Sequence, residues 1–489
     1  MLELIAADLK KETIGTLLVP VCENRDIHDL KSISAIIKEA KKIQEFKGEA
    51  DDELVLYHLP EIKAARVVFM GLGKADQVDA QSLRRLAGKG VKKCIHWGTS
   101  DVWIAAPSAA KLKMEPSSLL ASLMEGAVLG NHIFDKYKNK KKLKPLKKIH
   151  LLAQPARVKE LNRLPGRIQT LCDGTILARD WVNTPSNDKK PDQFARAIVA
   201  LAKNEDLKVT VLNEKELAQK KFGALLAVAA GSENRPRLVL LEYAPRGAKK
   251  TIAFVGKGIT FDSGGINLKS SSGLEGMKAD MSGAAAVAAL LLTVAKLKPA
   301  IRVIGAMPLV ENMPSGAASR PGDIVKSYCG KTVEIGNTDA EGRLILIDAM
   351  SYVIEKYQPE TLIDMATLTG ACVVALGEKI AGVFSPHDNL AQTLVRSGEK
   401  TFERCWRLPL PEDYRDQLKS DMADISNVSS SRWGGAITGA LFLSEFIQDT
   451  KWAHIDIAGP SYQKKENAYC GAGATGFGVR LLYDLLENL

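Results

Sequence analysis

A chain of 489 residues is too long for one ordinary hydrophobic core and predicts two domains. Its 46% hydrophobic and 25% charged content is that of a soluble globular protein. The formal net charge of +10 leaves a polyanionic partner open.

The N-terminus, MLELIAADLKKETIG, has no basic segment followed by a long apolar run, so no secretory signal is expected. No apolar stretch reads as a membrane span. The longest, 284–295, is short and alanine-rich. Seven cysteines (Cys22, Cys94, Cys172, Cys329, Cys372, Cys405 and Cys470) are scattered without CxxC pairs. That pattern predicts reduced thiols in a cytoplasmic protein, not a disulfide frame or a zinc–thiolate site.

The first part of the chain alternates strands and helices. Strands are expected over 16–21, 66–70, 101–106 and 148–153, and helices over 82–94 and 116–129. Such alternation predicts an α/β domain with a mostly parallel sheet. Gly71-Leu72-Gly73-Lys74 follows a strand but lacks the rest of a phosphate-loop fingerprint, and reads as a tight turn. The run KYKNKKKLKPLKK over 136–148 reads first as a solvated loop. Its second reading is a contact for nucleic acid or another polyanion. A boundary is expected near Pro155 and Pro165, giving a smaller N-terminal α/β domain at 1–160 and a larger domain at 161–489.

The second part opens with a helix over 168–182, stopped before Pro185. A helix follows from Pro191, where a first-turn proline costs no hydrogen bond, and then a strand over 208–212. Strands over 237–243 and 251–255 are separated by a basic glycine turn and read as a hairpin or as adjacent strands. A helix of small residues is expected over 281–292, strands over 301–308 and 332–335, a helix over 344–356, strands over 361–365 and 452–457, and a closing helix from about 476.

Two charged motifs stand out. GKGITFDSGGINLKSSSGLEGMKAD, 256–280, follows a buried strand and carries Lys257, Asp262, Lys269 and Asp280. NTDAEGRL, 337–344, carries Asp339, Glu341 and Arg343 at alternate positions. Plainer readings fit these residues less well. A P-loop lysine is followed by Ser or Thr at a helix start, which Lys257 is not. Ser263 is not in a G-x-S-x-G elbow and has no histidine near it in sequence. Pairing of Asp339 and Glu341 with Arg343 in an exposed loop leaves the other four charges at the ends of buried strands unexplained. Buried charges must be paired or hold a metal. Four carboxylates suit two divalent cations, which make a shared water a nucleophile. A lysine beside them either loses its proton and binds metal or stays charged and stabilises an oxyanion.

GKGITFDSGG, MKADMSGAAAV and NTDAEGRL resemble the leucyl aminopeptidase family of dinuclear metallopeptidases. The resemblance covers the whole second half, from RDWVNTPSN at 179–187 to GATGFGVR near the end. It implies a catalytic domain with a mixed central sheet flanked by helices. It implies one metal held by Lys257, Asp262, Asp280 and Glu341, and another held by Asp262, Asp339 and Glu341. By the same resemblance Lys269 polarises the scissile carbonyl, and Arg343 anchors a bicarbonate ion that acts as general base. The backbone of Leu368 and Gly370 positions the peptide, and Met277 and Thr367 wall the pocket for its first side chain. The implied cofactors are two divalent ions per subunit, manganese or zinc, with magnesium or cobalt as alternatives, and bicarbonate. The implied activity is release of N-terminal residues, leucine and other apolar ones preferred, from peptides with a free N-terminus. The implied assembly is a homohexamer with its catalytic domains inward. The family commonly shows ISLKP where this chain has INLKS at 266–270. Some bacterial members bind DNA, which is the alternative role for the basic surface. A dinuclear hydrolase of phosphate esters is disfavoured by the specificity of NTDAEGRL.

Overall fold

Runs of β-branched and apolar residues in the first part build a six-stranded sheet. Its strands are β1 (Leu2–Ile5), β2 (Ile14–Val21), β3 (Glu53–Tyr57), β4 (Ala64–Gly71), β5 (Asp101–Ala105) and β6 (Lys148–Leu152). The computed structural model describes residues 1–489. The strand order is β1-β6-β5-β2-β4-β3, parallel except for β3 against β4. On one face Leu17, Val19, Val67 and Phe69 pack with Ile33 and Ile36 of the helix Lys31–Ala40. The helices Ala80–His96 and Pro116–Gly130 cross where Gly126 meets the backbone of Arg84. A Cβ on Gly126 would lie 2.1 Å from the Arg84 carbonyl oxygen. Asp79 caps the first of these helices, accepting from Ser82 N at 2.7 Å. Gly71-Leu72-Gly73-Lys74 leaves the end of β4, with Gly73 at φ +76°.

Two compact units divide the chain. One is Met1–Asp173 with Lys464–Ala472, and the other is Gly174–Gln463 with Gly473–Leu489. The division lies inside the long helix Leu164–Asn183.

The second unit holds a nine-stranded sheet and a small three-stranded one, beside a short antiparallel pair, Tyr462–Gln463 with Gly473–Ala474. The strands of the first two are β7 (Lys208–Leu212), β8 (Arg237–Tyr243), β9 (Thr251–Gly256), β10 (Gly258–Asp262), β11 (Arg302–Asn312), β12 (Ile324–Lys326), β13 (Thr332–Glu334), β14 (Thr361–Ala366), β15 (Ala381–Phe384), β16 (Cys405–Arg407), β17 (Ile425–Ser426) and β18 (Lys451–Asp456). The large sheet runs β16-β15-β18-β14-β9-β11-β8-β7, with β10 beside β11. Its middle, β18, β14, β9 and β11, is parallel, and antiparallel strands flank it, so the sheet is mixed. The helices Ser282–Leu297 and Glu341–Tyr357, both buried along most of their length, pack against it.

Three expectations change. The strands β8 and β9 are neither a hairpin nor neighbours, because β11 lies between them, antiparallel to β8 and parallel to β9. β11 spans eleven residues and is apolar from Val303 to Val310, long enough to pair on both edges, and it runs on past Pro308 to Asn312. The helix expected from residue 344 begins at Glu341, so Glu341 and Arg343 belong to its first turn. The helical run Ser271–Leu297 is long and apolar enough by composition to cross a membrane. It contains two short turns that a count of apolar residues leaves out, and 89% of its apolar window is buried inside the protein, so it is a core element here.

Candidate active site

Open α/β sheets place ligands beyond the carboxyl ends of their parallel strands. Here those ends bring together Lys257 after β9, Asp262 at the end of β10, Asn312 at the end of β11, Thr367 after β14 and Asp456 at the end of β18. The helix Ser282–Leu297 starts against the same edge. Gly256 and Gly283 allow this approach: a Cβ on Gly283 would lie 2.0 Å from the Met365 carbonyl oxygen, and one on Gly256 2.3 Å from that of Gly283. Lys257 N donates to Met365 O at 3.0 Å, and Lys257 O accepts from Ala284 N at 2.8 Å. Gly342 makes room for the Lys257 side chain, since a Cβ there would lie 2.5 Å from Cε.

Asp262 is buried. Its Oδ1 accepts from Gly264 N at 2.9 Å and from Asn312 Nδ2 at 2.8 Å, while Oδ2 lies 2.9 Å from Lys269 Nζ. The turn behind it needs glycine, with Gly264 at φ +88° and Gly265 at φ +66°. Asp280 Oδ1 accepts from Thr367 Oγ1 at 2.6 Å, and Oδ2 lies 2.9 Å from Lys257 Nζ. Lys257 Nζ is also 2.8 Å from Glu341 Oε1 and donates to Thr367 O at 2.8 Å. Asp339 Oδ1 is 2.5 Å from Lys269 Nζ. Six of the seven predicted charged residues thus form two sets of ion pairs, Lys257 with Asp280 and Glu341, and Lys269 with Asp262 and Asp339, joined where Asp262, Asp280 and Glu341 converge.

Arg343 is buried beside this cluster. Its Nη1 donates to Asn427 O at 2.7 Å, and its guanidinium lies 5.9 Å from the Phe442 ring centroid. Leu368 N donates to Asp456 Oδ1 at 3.1 Å, and Thr369 Oγ1 donates to Asp456 Oδ2 at 2.7 Å. Asp456 therefore holds the loop that leads to Gly370, where the exposed helix Gly370–Leu376 begins. Met277 opens the single turn Met277–Ala279 before Asp280 and is half-buried.

Sequence reasoning missed three residues that shape the site. Asn312 bridges Asp262 and the Thr338 carbonyl at 2.8 and 3.1 Å. Asn427, fully buried, accepts from Gly336 N at 2.8 Å and donates to Asn337 O at 2.8 Å, so it fixes the loop bearing Asp339 and Glu341. Asn267 Oδ1 accepts from Thr338 N at 2.9 Å and from Thr338 Oγ1 at 3.0 Å, joining the two charged motifs directly. Only Asn267 carried a signal, as the departure from ISLKP.

Burial is the largest influence on Glu341 and pushes its carboxyl up to about 8. Asp262 adds to this, and Lys257 offsets only part of it. Asp280 goes up to about 6 for the same reasons. Burial alone would lower Lys257, but Asp280, Glu341 and Asp262 together raise it above its ordinary range, and Asp262 and Asp339 do the same for Lys269. Burial lowers Arg343 to about 10, which leaves it charged at neutral pH.

The donor set fits divalent cations. Asp262, Asp280 and Glu341 each offer an oxygen, all within 4.8 Å of one another, and all three residues are buried. Glu341 Oε2 has no hydrogen-bond partner. With all four carboxyl groups ionised, the two ammonium groups would neutralise only half of their charge. Carboxylate oxygens in this arrangement suit magnesium or manganese better than soft metals.

The family model for the cytosol aminopeptidase catalytic domain matches residues 176–483, and that for its N-terminal domain matches 18–141. The chain belongs to the cytosol aminopeptidase family. A probable cytosol aminopeptidase of Desulfotalea psychrophila is 41% identical, over 97% of both chains. One from Pseudomonas syringae pv. syringae is 40% identical, over 99% of both. Among solved structures, the bottromycin maturation enzyme BotP in complex with Mn is 34% identical with a TM-score of 0.87, covering 97% of this chain and 99% of that one. Aminopeptidase activity, and with it peptidase hydrolase chemistry, goes with membership of the cytosol aminopeptidase family. Both charged motifs fall inside its catalytic domain.

Proposed function

We propose that this cytosol aminopeptidase acts in the cytoplasm, releases single N-terminal residues, preferentially leucine and other apolar ones, and uses two divalent cations. The observation that carries this reading is the buried trio Asp262, Asp280 and Glu341, with its convergent oxygens and the unpartnered Oε2 of Glu341. Lys257, Asp262, Asp280 and Glu341 would hold one cation. Asp262, Asp339 and Glu341 would hold the other. Manganese or zinc is the first choice, and magnesium or cobalt the second. Manganese draws support from the oxygen-rich donor set and from the Mn complex of BotP. Bound there, the pair would supply an activated water and Lewis acidity towards a scissile carbonyl.

The remaining roles belong to side chains of this chain. Lys269 is held charged by Asp262 and Asp339, and its ammonium would stabilise a developing oxyanion. Arg343 is buried, charged and bonded to protein through Nη1 at Asn427 O, a placement suited to holding bicarbonate as general base. The backbone of Leu368 and Gly370 would align the peptide, with Asp456 steadying Leu368. Met277 and Thr367 would wall the first side-chain pocket. Thr367 also fixes Asp280. A homohexamer is part of the same reading, and the exposed side chains of Met422 and Trp433 give the subunit apolar surface to cover.

The test is a matched pair of apolar-headed peptides, one with a free N-terminus and one acetylated, followed by mass spectrometry. Loss of single residues from the free peptide alone is expected. Equal cleavage of the pair, or cuts at internal bonds, would overturn the exopeptidase reading.

A second role, DNA binding, is favoured by the form of the basic run. Asn131 clasps the far end of its loop, donating to Leu146 O at 3.0 Å and accepting from Leu146 N at 2.7 Å. Lys136, Lys138, Lys140, Lys142 and Lys144 are exposed within the clasp. A gel shift that weakens steeply with salt is expected. No shift at low salt would leave the run as a solvated loop.

A further inference from the structure

Lys189 lies outside both charged motifs, yet only 2% of it is exposed. No carboxylate is among its partners. Its Nζ donates to three carbonyl oxygens, Trp181 at 2.9 Å, Val182 at 3.1 Å and Lys278 at 2.8 Å. An isolated buried ammonium is costly, and burial pushes this one towards its neutral form. Three acceptors match the three protons of the charged form, whereas a neutral amine would leave one acceptor unserved. Trp181 and Val182 end the helix Leu164–Asn183, where carbonyls lack partners along the helix and the dipole favours a cation.

The third carbonyl gives the contact its reach. Lys278 lies in the turn Met277–Ala279, directly before Asp280. Within the turn Ala279 N donates to Gly276 O at 2.8 Å and Asp280 N to Met277 O at 3.3 Å, and Ser282 Oγ donates to Ala279 O at 2.6 Å. Lys278 returns the contact, since its Nζ donates to Asn183 O at 3.0 Å. The two lysines therefore brace the turn against the helix end from both sides. Lys189 touches neither a metal ligand nor the space between the carboxylates.

We propose that Lys189 is a positioning residue for the metal centre, whose ammonium ties the turn Met277–Ala279 to the end of the helix Leu164–Asn183 and so fixes Asp280 and Met277. The inference rests on the reading of the Asp262, Asp280 and Glu341 cluster as a divalent-cation site. Loosening this brace frees Asp280, a ligand of one cation, and leaves Asp339, a ligand of the other, in place. It also frees Met277, one wall of the first side-chain pocket.

Titration calorimetry of the metal-stripped full-length chain with Mn2+ tests this on wild type and on Lys189→Met. Partners that orient metal ligands typically contribute 10–100-fold in affinity. The variant is expected to bind one Mn2+ equivalent about 10–100-fold more weakly and the other nearly unchanged. KM for leucine-headed substrates should rise in parallel. A cooperative thermal transition would establish that the metal-free variant is folded. A folded variant with both Mn2+ affinities unchanged would overturn the inference alone. Absence of Mn2+ binding by the wild type would overturn the metal-centre reading and the inference with it. Should Lys189→Met fail to fold, Lys189→Gln, which has no ammonium and only two amide protons for the three carbonyls, takes its place. The same selective weakening is expected there, and unchanged affinity would overturn the inference.

Discussion

Lys257 and Glu341 meet at 2.8 Å, with 4% and 3% of their side chains exposed. They come from different motifs, and each is at the entrance to a buried element: Lys257 between β9 and β10, Glu341 at the start of a helix. The ammonium has only one polar contact besides carboxylates, the Thr367 carbonyl. It neutralises charge where the proposed cation would do the same, and Lys257 must give up its proton to act as a ligand. Metal binding at such a site releases protons.

Asp262 and Glu341 belong to both proposed ligand sets. Asp262→Ala and Glu341→Ala should each lose bound metal and nearly all turnover while keeping a cooperative unfolding transition. Elemental analysis alongside a leucine-amide assay checks this. Either variant with two metals and full activity would remove the assignment.

Lys269→Ala should keep its metals and lose turnover by about 100–1,000-fold, the usual cost of one preorganised oxyanion contact. Its contacts here are to Asp262 and Asp339, both carboxylates. Metal loss in this variant would mean that Lys269 acts as a ligand and that its role has been exchanged with that of Lys257.

The raised carboxyls give a pH signature. Metal-free, the folded chain holds the protons of Glu341 (pushed to about 8) and Asp280 (to about 6) more tightly than the unfolded chain does. More protons are bound folded than unfolded, so stability falls as pH rises through this range. Bound cations keep both groups ionised and remove that dependence. Lys257 is charged in both states up to its ordinary pKa and adds no slope between pH 5 and 8. Asp348, raised to about 7 by burial and holding Leu225 N and Tyr328 N, contributes equally with and without metal. The melting-temperature difference between Mn2+-loaded and metal-free protein should therefore widen from pH 5 to pH 8. A constant difference would contradict the placement of these groups in the metal centre.

Asn427→Ala should leave Gly336 N and Asn337 N without their acceptor, at a cost of about 1–3 kcal/mol. The same loop carries Asp339 and Glu341, so metal affinity should fall with stability. Denaturant unfolding and Mn2+ titration on one preparation measure both. A stability loss with unchanged metal affinity would make Asn427 a packing residue only.

The parts of the site legible in the sequence were those whose chemistry is local. Lys257, Asp262, Asp280, Asp339 and Glu341 are charged residues beside buried strands, and charge in such a place needs an explanation. Asn312 and Asn427 were not legible, because a neutral amide declares nothing until its partners are known. Asn312 was also hidden by ending its strand at Pro308, where a buried proline looks like a stop. The position of β11 between β8 and β9 depends on pairing at both edges, which no local pattern encodes. The helix start at Glu341 was missed because acidic and glycine residues precede its apolar run. Once folded, the carboxylate faces the positive end of the helix dipole. Lys189 had no signal at all, since its partners are carbonyl groups, which every residue has.

The proposed role of the four carboxylates and Lys257 is to hold two divalent cations needed for peptide hydrolysis. Its most direct test is to strip the full chain of metal and titrate Mn2+ or Zn2+ back while following hydrolysis of an aminoacyl amide. Activity should be absent without metal and should saturate at two equivalents per chain. Full turnover by the stripped protein, or saturation at one equivalent, would contradict it.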